Sequence, residues 1–322
     1  MIRFLVRRLV LGVFTMFLVT LGVYFLFFSG SPQSVARTLA GRQATEAQVQ
    51  QVYHNLGLDR PILVQYWHFL KNMVVHGNLG TDYYHGEPVT SVLKQDFPIT
   101  LSLVLGAAVI WLVLGVGTGV YSAVRPRSLA DRALTGVALF FYSIPTFVLG
   151  LTLIYVFFFK FNTGLHISWF PASGYVGISS DPYEWFRHLV LPWLTLALIT
   201  AATYTRLART SMLEVLGEDY IRTARAKGLK ESRVILRHAL RSALTPITTQ
   251  FGVDVGVALG GAILTESVFG LPGLGWESVH AIGNQDLPVI IGIVIVAAAA
   301  VILANIIVDM MYAVLDPRVK LH

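Results

Sequence analysis

Cysteine is absent from all 322 residues. That excludes disulfides, zinc–thiolate centres and a thiol nucleophile. Charge is scarce as well: Asp, Glu, Lys and Arg make up 13% of the chain, about half of the roughly 25% usual in a soluble domain. No GxxxxGK[ST] stretch occurs, so the chain has no phosphate-cradling loop and any use of ATP falls to another chain. HExxH and GxSxG are missing too, and with them the common metalloprotease and hydrolase signatures. The nine histidines, at 54, 68, 76, 85, 166, 188, 238, 280 and 322, are scattered without metal-ligand spacing, and no metal site is expected. No nucleophile–base pair stands out, which argues against an enzyme.

What the chain does have is apolar residues, 55% of the total, with a mean hydropathy of +0.65. They fall in runs long enough to cross a bilayer. Six spans are expected, over about Leu9–Phe28, Ile99–Val124, Ala133–Phe159, Leu189–Tyr204, Ile247–Leu264 and Leu287–Leu315. The first follows Met1-Ile-Arg-Phe-Leu-Val-Arg-Arg and resembles a signal peptide. Its apolar stretch exceeds the roughly 7–15 residues of a signal core, so an uncleaved span is expected. Pro145 lies inside the third run and predicts a kink there. The net charge of +6 would suggest nucleic acid in a soluble protein. Here it reflects Lys and Arg gathered on one side of a membrane: seventeen lie at the termini, after span two and after span four, against seven in the other three loops. The positive-inside rule then puts both termini in the cytoplasm and the Ser29–Asp96 region outside.

That outer region carries its own helix signals. Thr45-Glu-Ala-Gln48 is a capping box before Val49–Asn55, Asp59-Arg-Pro61 opens a helix over Ile62–Val74, and Pro88 starts a short amphipathic helix. Lys160–Arg187 is an aromatic-rich loop suited to a membrane interface. Phe269–Asp286 reads as a Gly/Pro-rich loop without Lys or Arg. Gly252, Gly256 and Gly260 repeat every fourth residue and make a smooth stripe, either for packing within the chain or for a subunit interface. Asp254 lies about two turns into span five. A carboxylate there either lines a polar solute path or makes a helix–helix hydrogen bond. Asp309, nearer the end of span six, reads as a cap or an ion pair. The spans hold no relay of Asp, Glu and His, which counts against a proton-coupled carrier.

A polar island, Leu207 to Pro246, interrupts the apolar runs. It carries eight Lys/Arg against Glu214, Glu218, Asp219 and Glu231. Asp219 to Gly228 reads as a short helix stopped by glycine, with Leu229 making the apolar contact beyond the cap. Ala224 and Gly228, four apart, suggest a small side open to close approach. Ser232 is expected to cap a second helix with Arg233, Arg237 and Arg241 on one face. Such a surface suits either a soluble partner or anionic lipid.

At these residues the chain resembles a known family. Glu218–Ile247, EDYIRTARAKGLKESRVILRHALRSALTPI, is similar to the cytoplasmic loop of ABC importer permeases, and more closely to the dipeptide/oligopeptide/nickel subfamily. Asn55-Leu-Gly-Leu-Asp-Arg-Pro61, His76-Gly-Asn-Leu-Gly80, Ser143-Ile-Pro-Thr-Phe147, Glu266-Ser-Val-Phe-Gly-Leu-Pro-Gly-Leu-Gly275 and Leu315-Asp-Pro-Arg318 extend the resemblance over essentially the whole chain. The long insertion after span one resembles the first of that subfamily's two permeases. Arg222-Thr223-Ala224 stands where the broader loop has Glu-Ala-Ala, and Leu244-Thr-Pro246 where it has Leu-Pro. Both departures are usual in the peptide subfamily.

The resemblance implies an all-α integral membrane protein with six transmembrane helices in the type I ABC importer permease fold. It divides the chain into a first helix (1–28), an extracytoplasmic insertion (29–97) and a five-helix core (98–316) with a coupling loop at 207–246. It implies a bacterial inner-membrane permease subunit for di- or oligopeptides, working by alternating access. The same machinery also serves nickel or glutathione in the subfamily, and a stand-alone channel or secondary transporter is the alternative of another class. The implied partners are a second homologous permease, one or two ABC ATPase subunits and an external peptide-binding protein, in a lipid bilayer and without nucleic acid. The chain binds no cofactor itself; ATP and Mg belong to the ATPases. Their docking site is implied at Glu218, Asp219, Tyr220, Arg222, Thr223, Ala224, Arg225, Lys227, Gly228 and Leu229. Asp254, Pro145 and Glu266 are the candidates for lining the path.

Overall fold

A computed structural model of the chain describes residues 2–28, 33, 36, 37, 40, 44–55, 57–82, 85–166 and 169–315. The Leu315-Asp-Pro-Arg318 motif beyond Leu315, Leu56 of the Asn55–Pro61 motif and the side chain of Asp309 lie outside the described residues. Among those described, regular structure is helical apart from one antiparallel bridge, Thr81 to Pro88. Among the described residues, four helices are long and apolar enough to cross a membrane, or six if each of two bent pairs is one span.

The first span is α1 (Ile2–Phe28). Two shorter helices follow, α2 (Glu46–Asn55) and α3 (Ile62–His76). The capping box before α2 forms: Thr45 N donates to Gln48 Oε1 at 2.8 Å and Gln48 N to Thr45 Oγ1 at 3.4 Å. The short helix expected from Pro88 and the span expected from Ile99 are one element, α4 (Val89–Val124). Its 36 residues measure about 54 Å at 1.5 Å per residue, well beyond the roughly 30 Å of bilayer hydrocarbon. Pro98 sits within it, and a boundary between residues 97 and 98 falls inside this helix.

Span three is broken, not kinked. α5 (Leu129–Ser143) and α6 (Thr146–Asn162) meet at 103°. Ile144 and Pro145 between them are extended, with ψ of 128° and 138°. The residue before a proline is driven out of the helical region, and proline can donate no hydrogen bond to the preceding turn. The second half of α6 (Ile154–Asn162) winds in wide π-type turns.

Span four is also longer than its apolar run. α7 (Pro182–Leu216) begins with Asp181 accepting from the backbone N–H of Tyr183 and Glu184, as an N-cap does. It continues ten residues into the polar island. Next come α8 (Asp219–Ala226) and α9 (Glu231–Leu259). The basic helix carrying Arg233, Arg237 and Arg241 is therefore the first part of span five. Lys230 occupies the N-cap position of α9, and Ser232 lies inside its first turn. α10 (Ile263–Phe269) follows at a 51° bend. The Gly/Pro-rich stretch expected as a loop contains α11 (Leu274–Asn284), and α12 (Leu287–Leu315) closes the chain.

The core forms where α4 and α7 run side by side in the same direction. Leu103, Ala107, Trp111, Leu189, Ala197, Tyr204 and Ala208 are buried there. Glycines on α4 bring the backbones together: a Cβ on Gly115 would lie 2.4 Å from Tyr204 Cβ, and one on Gly119 2.6 Å from Ala208 Cβ. The Gly252–Gly256–Gly260 stripe serves packing within the chain. Gly252 faces Val308, Gly256 faces Val301 and Ala304, and Gly260 faces Ala297, all on α12.

Candidate functional site

The island resolves into three pieces: the end of α7, the two-turn helix α8 and the start of α9. α8 is short, so packing must hold it. Ile221 and Ala224, three apart and thus on one face, are 0% and 8% exposed. They sit on Ala123 of α4, Met212 of α7 and Val234, Ala239 and Ala243 of α9. Asp219 in the first turn suits the positive end of the helix dipole. Leu229 N donates to Ala224 O at 3.4 Å and Lys227 N to Thr223 O at 3.0 Å. Gly228 adopts φ +75° and Leu229 packs against the buried cluster, which is the expected glycine stop with its apolar contact.

Ala224 points into the protein, so it does not form a small outward side with Gly228. The outward surface consists of Glu218, Asp219, Tyr220, Arg222, Thr223, Arg225, Ala226, Lys227 and Gly228. Its polar contacts are local. Arg222 pairs with Asp219 at 3.3 Å, Tyr220 OH donates to Ser242 Oγ at 3.1 Å, and Arg225 forks onto Glu231 with its Nη2 2.7 Å from Oε1. The last pair ties α8 to α9 and keeps the Arg225 guanidinium above its ordinary pKa. α8 holds no nucleophile or metal-ligand set. Chemically it is a polar ridge on an apolar seat.

The end of α4, the start of α5 and α7 are joined by a polar knot that sequence reasoning missed. Arg209 on α7 donates from Nε and Nη2 to the two carboxylate oxygens of Asp131 on α5, at 2.8 and 3.0 Å. Ser122 at the end of α4 donates to the same carboxylate, and Arg127 N donates at 2.8 Å. Asp131 is 4% exposed. The available signal was Ser128-Leu-Ala-Asp131, a Ser-x-x-Asp helix start; Ser128 Oγ accepts from Asp131 N at 3.1 Å.

The three path candidates occupy separate settings. Pro145 is exposed at the α5–α6 break. Asp254, half-buried on α9, accepts from Tyr204 OH and from Gln250 Nε2, each at 2.9 Å; the helix–helix hydrogen bond is therefore present. Glu266 on α10 is fully buried. It accepts from Thr100 Oγ1 of α4 and from Trp276 N, each at 2.8 Å, while Thr100 Oγ1 accepts from Leu274 N at 2.9 Å. Together Glu266 and Thr100 satisfy the first N–H groups of α11. A Cβ on Gly273 would lie 2.6 Å from Thr100 Oγ1, and one on Gly275 2.9 Å from Glu266 Oε2. The Glu266–Gly275 motif is thus one folding unit built around a carboxylate.

Two family descriptions match this chain. Residues 115–321 match the binding-protein-dependent transport system inner membrane component, and residues 1–104 match the N-terminal part of such membrane components. A probable peptide ABC transporter permease protein, y4tP, of Sinorhizobium fredii is 38% identical over 98% of this chain and 99% of its own length. The glutathione transport system permease protein GsiC of Pectobacterium atrosepticum and the dipeptide transport system permease protein DppB of Escherichia coli are each 37% identical, over 99% of both chains. Among solved structures, an inward-facing form of the MetNI methionine ABC transporter superposes with a TM-score of 0.54 at 18% identity. It covers 70% of this chain and 97% of that one, in agreement with the type I importer permease fold. The chain belongs to the family of inner membrane components of binding-protein-dependent transport systems.

Proposed function

We propose that the chain is one permease subunit of an ATP-driven, binding-protein-dependent importer of di- and oligopeptides. It would stand beside a second, homologous permease in the bacterial inner membrane, with both termini cytoplasmic. The observation that carries the reading is the geometry of α8: an exposed polar ridge whose apolar underside rests on α4, α7 and α9 at once. ATPase subunits would bind the ridge formed by Tyr220, Arg222, Thr223 and their neighbours. ATP and Mg stay with those subunits. When the ATPases close, a push on α8 passes through Ile221 and Ala224 to three membrane helices, and through Arg209–Asp131 to α5. That is a means of alternating access. An extracytoplasmic peptide-binding protein would deliver cargo to the opposite face. The dipeptide and peptide names of the relatives support this cargo. The glutathione name favours a second reading within the same class, a small peptide with a γ-linkage.

The test uses proteoliposomes holding this chain, the second permease and the ATPases, loaded from the binding protein with labelled dipeptide. Arg222→Glu, which is solvent-facing, should leave ATP hydrolysis measurable and depress uptake. Normal uptake in both Arg222→Glu and Tyr220→Ala would overturn the docking assignment. Uptake by this chain without ATPases would establish a stand-alone carrier instead.

A further inference from the structure

A cleft of about 420 Å³ opens between α1, α3 and the start of α12, within the roughly 300–1,000 Å³ range of small-molecule sites. Its depth in the membrane follows from the elements around it. Tyr24 and Phe28, where α1 ends, form one wall, and Pro288 and Ile291, where α12 begins, form another. Both spans cross the bilayer surface here, so the cleft lies at the level of lipid headgroups.

Its polar lining has one character. Arg60, His54, His68, Asn72 and Asn78 face it, with no carboxylate among the lining residues. Asp59, next to Arg60 in sequence, is exposed and outside the lining. Arg60 Nη1 lies 3.1 Å from His68 Nε2, which leaves the other guanidinium N–H groups and the second imidazole nitrogen for an incoming oxyanion. The backbone behind them is fixed by Gln65, 8% exposed, which donates to Arg60 O at 2.7 Å and to Leu58 O at 3.3 Å. The floor is aromatic, with Tyr24 stacked on Phe28 at 4.3 Å and tilted against Phe69 at 5.3 Å. Beside the cleft, α3 exposes an apolar stripe of Leu63, Trp67 and Val74, each more than 60% exposed. Those residues share one helical face, and a Trp-bearing apolar face next to polar donors is the pattern of a helix lying in the membrane interface.

We propose that this cleft holds the phosphate-bearing headgroup of an anionic phospholipid, with Arg60 and His68 on the phosphate and the acyl chains along α1 and the apolar stripe of α3. The site stands apart from α8 and does not depend on the cargo.

The test takes the full chain in neutral detergent and measures, by native mass spectrometry and by melting temperature, its response to dioleoylphosphatidylglycerol, dioleoylphosphatidylcholine and inorganic phosphate. Phosphatidylglycerol should be retained and should raise the melting temperature, and the other two should not. Arg60→Gln should weaken phosphatidylglycerol retention about tenfold, the effect of losing one charge-assisted hydrogen bond. His68→Gln should weaken it as well, and gives a second reading if Arg60→Gln is poorly folded. Lys71→Gln, on exposed α3 but outside the lining, should leave retention unchanged. Equal retention of phosphatidylcholine overturns the proposal. So does an equal loss in Lys71→Gln, which would indicate diffuse charge attraction. A matching rise with inorganic phosphate alone assigns the cleft to a free oxyanion and overturns the lipid.

Discussion

Gly106 lies under the indole of Trp193: a β-carbon on Gly106 would sit 2.1 Å from Trp193 Cε2. The indole cannot retreat easily, because its Nε1 donates to Ser102 O at 2.9 Å and its ring packs edge-on against Trp185. Gly106→Ala should therefore destabilise the protein by about 1–3 kcal/mol, the usual cost of overpacking a core. Gly117, on the same helix, has nothing within 4 Å of its would-be β-carbon. Gly117→Ala should be neutral or slightly stabilising, since alanine is the better helix former. Thermal melting of both variants in detergent checks the pair. Equal losses would mean that α4 and α7 are not packed in this register.

Glu266 is the hub of the α4–α10–α11 junction, and its variants should rank by how many donors they orphan. Glu266→Ala leaves Thr100 Oγ1 and the Trp276 N–H without their acceptor in a buried site, at about 1–3 kcal/mol for each unsatisfied group. Glu266→Gln keeps one acceptor oxygen and should fall between the wild type and alanine. Amide exchange at Trp276 should accelerate in the same order. An unchanged rate in Glu266→Ala would show that the carboxylate does not cap α11.

The spans were legible because burial in lipid imposes long apolar runs, and the glycine stop at Gly228 was legible because its chemistry is local. What escaped depended on partners distant in sequence or on the strength of a local break. Asp131 looks like an ordinary loop acid until Arg209 meets it from 78 residues away. Pro145 announced a bend, but a 103° break needs extended residues on both sides of the peptide bond, which composition does not reveal. Pro98 carries the same local signal, and there the helix continues. Gly270 to Gly275 read as loop because glycine and proline dominate it. The helix that starts at Leu274 depends on acceptors supplied by Thr100 and Glu266. Ala224 was placed on an outward small face; the apolar residues of α7 and α9 that cover it lie on both sides of α8 in sequence.

Gly228 isolates a purely conformational effect. Its φ is +75° and nothing lies within 4 Å of a would-be β-carbon. Gly228→Val should cost about 1–2 kcal/mol, the penalty for a branched residue in the left-handed region, and should loosen the end of α8. Gly228→Asn, which tolerates that region, should retain most of the stability. Melting temperatures order the two. If valine and asparagine behave alike, α8 does not end in this turn.

A pH dependence is expected in the turn that leads into α4. His85 Nδ1 lies 2.6 Å from Asp82 Oδ2, and Asp82 is 4% exposed. The hydrogen bond and the charge of Asp82 raise the imidazole pKa above its ordinary 6.5, with smaller help from Glu277 and Glu87. A raised histidine pKa in the folded state means that folding favours the protonated form. The stabilisation is fully present below 6.5 and is lost as pH rises through the higher folded-state value. The turn itself is closed by Asp82 N to Glu87 O at 2.8 Å and Val89 N to Gly80 O at 3.1 Å, so loosening should appear as faster amide exchange at Asp82 and Val89 on going from slightly acid to slightly alkaline pH, after correction for intrinsic exchange. His85→Gln should abolish that pH dependence. A wild-type turn whose corrected exchange is flat across this range would show that the His85–Asp82 pair contributes nothing to holding the start of α4.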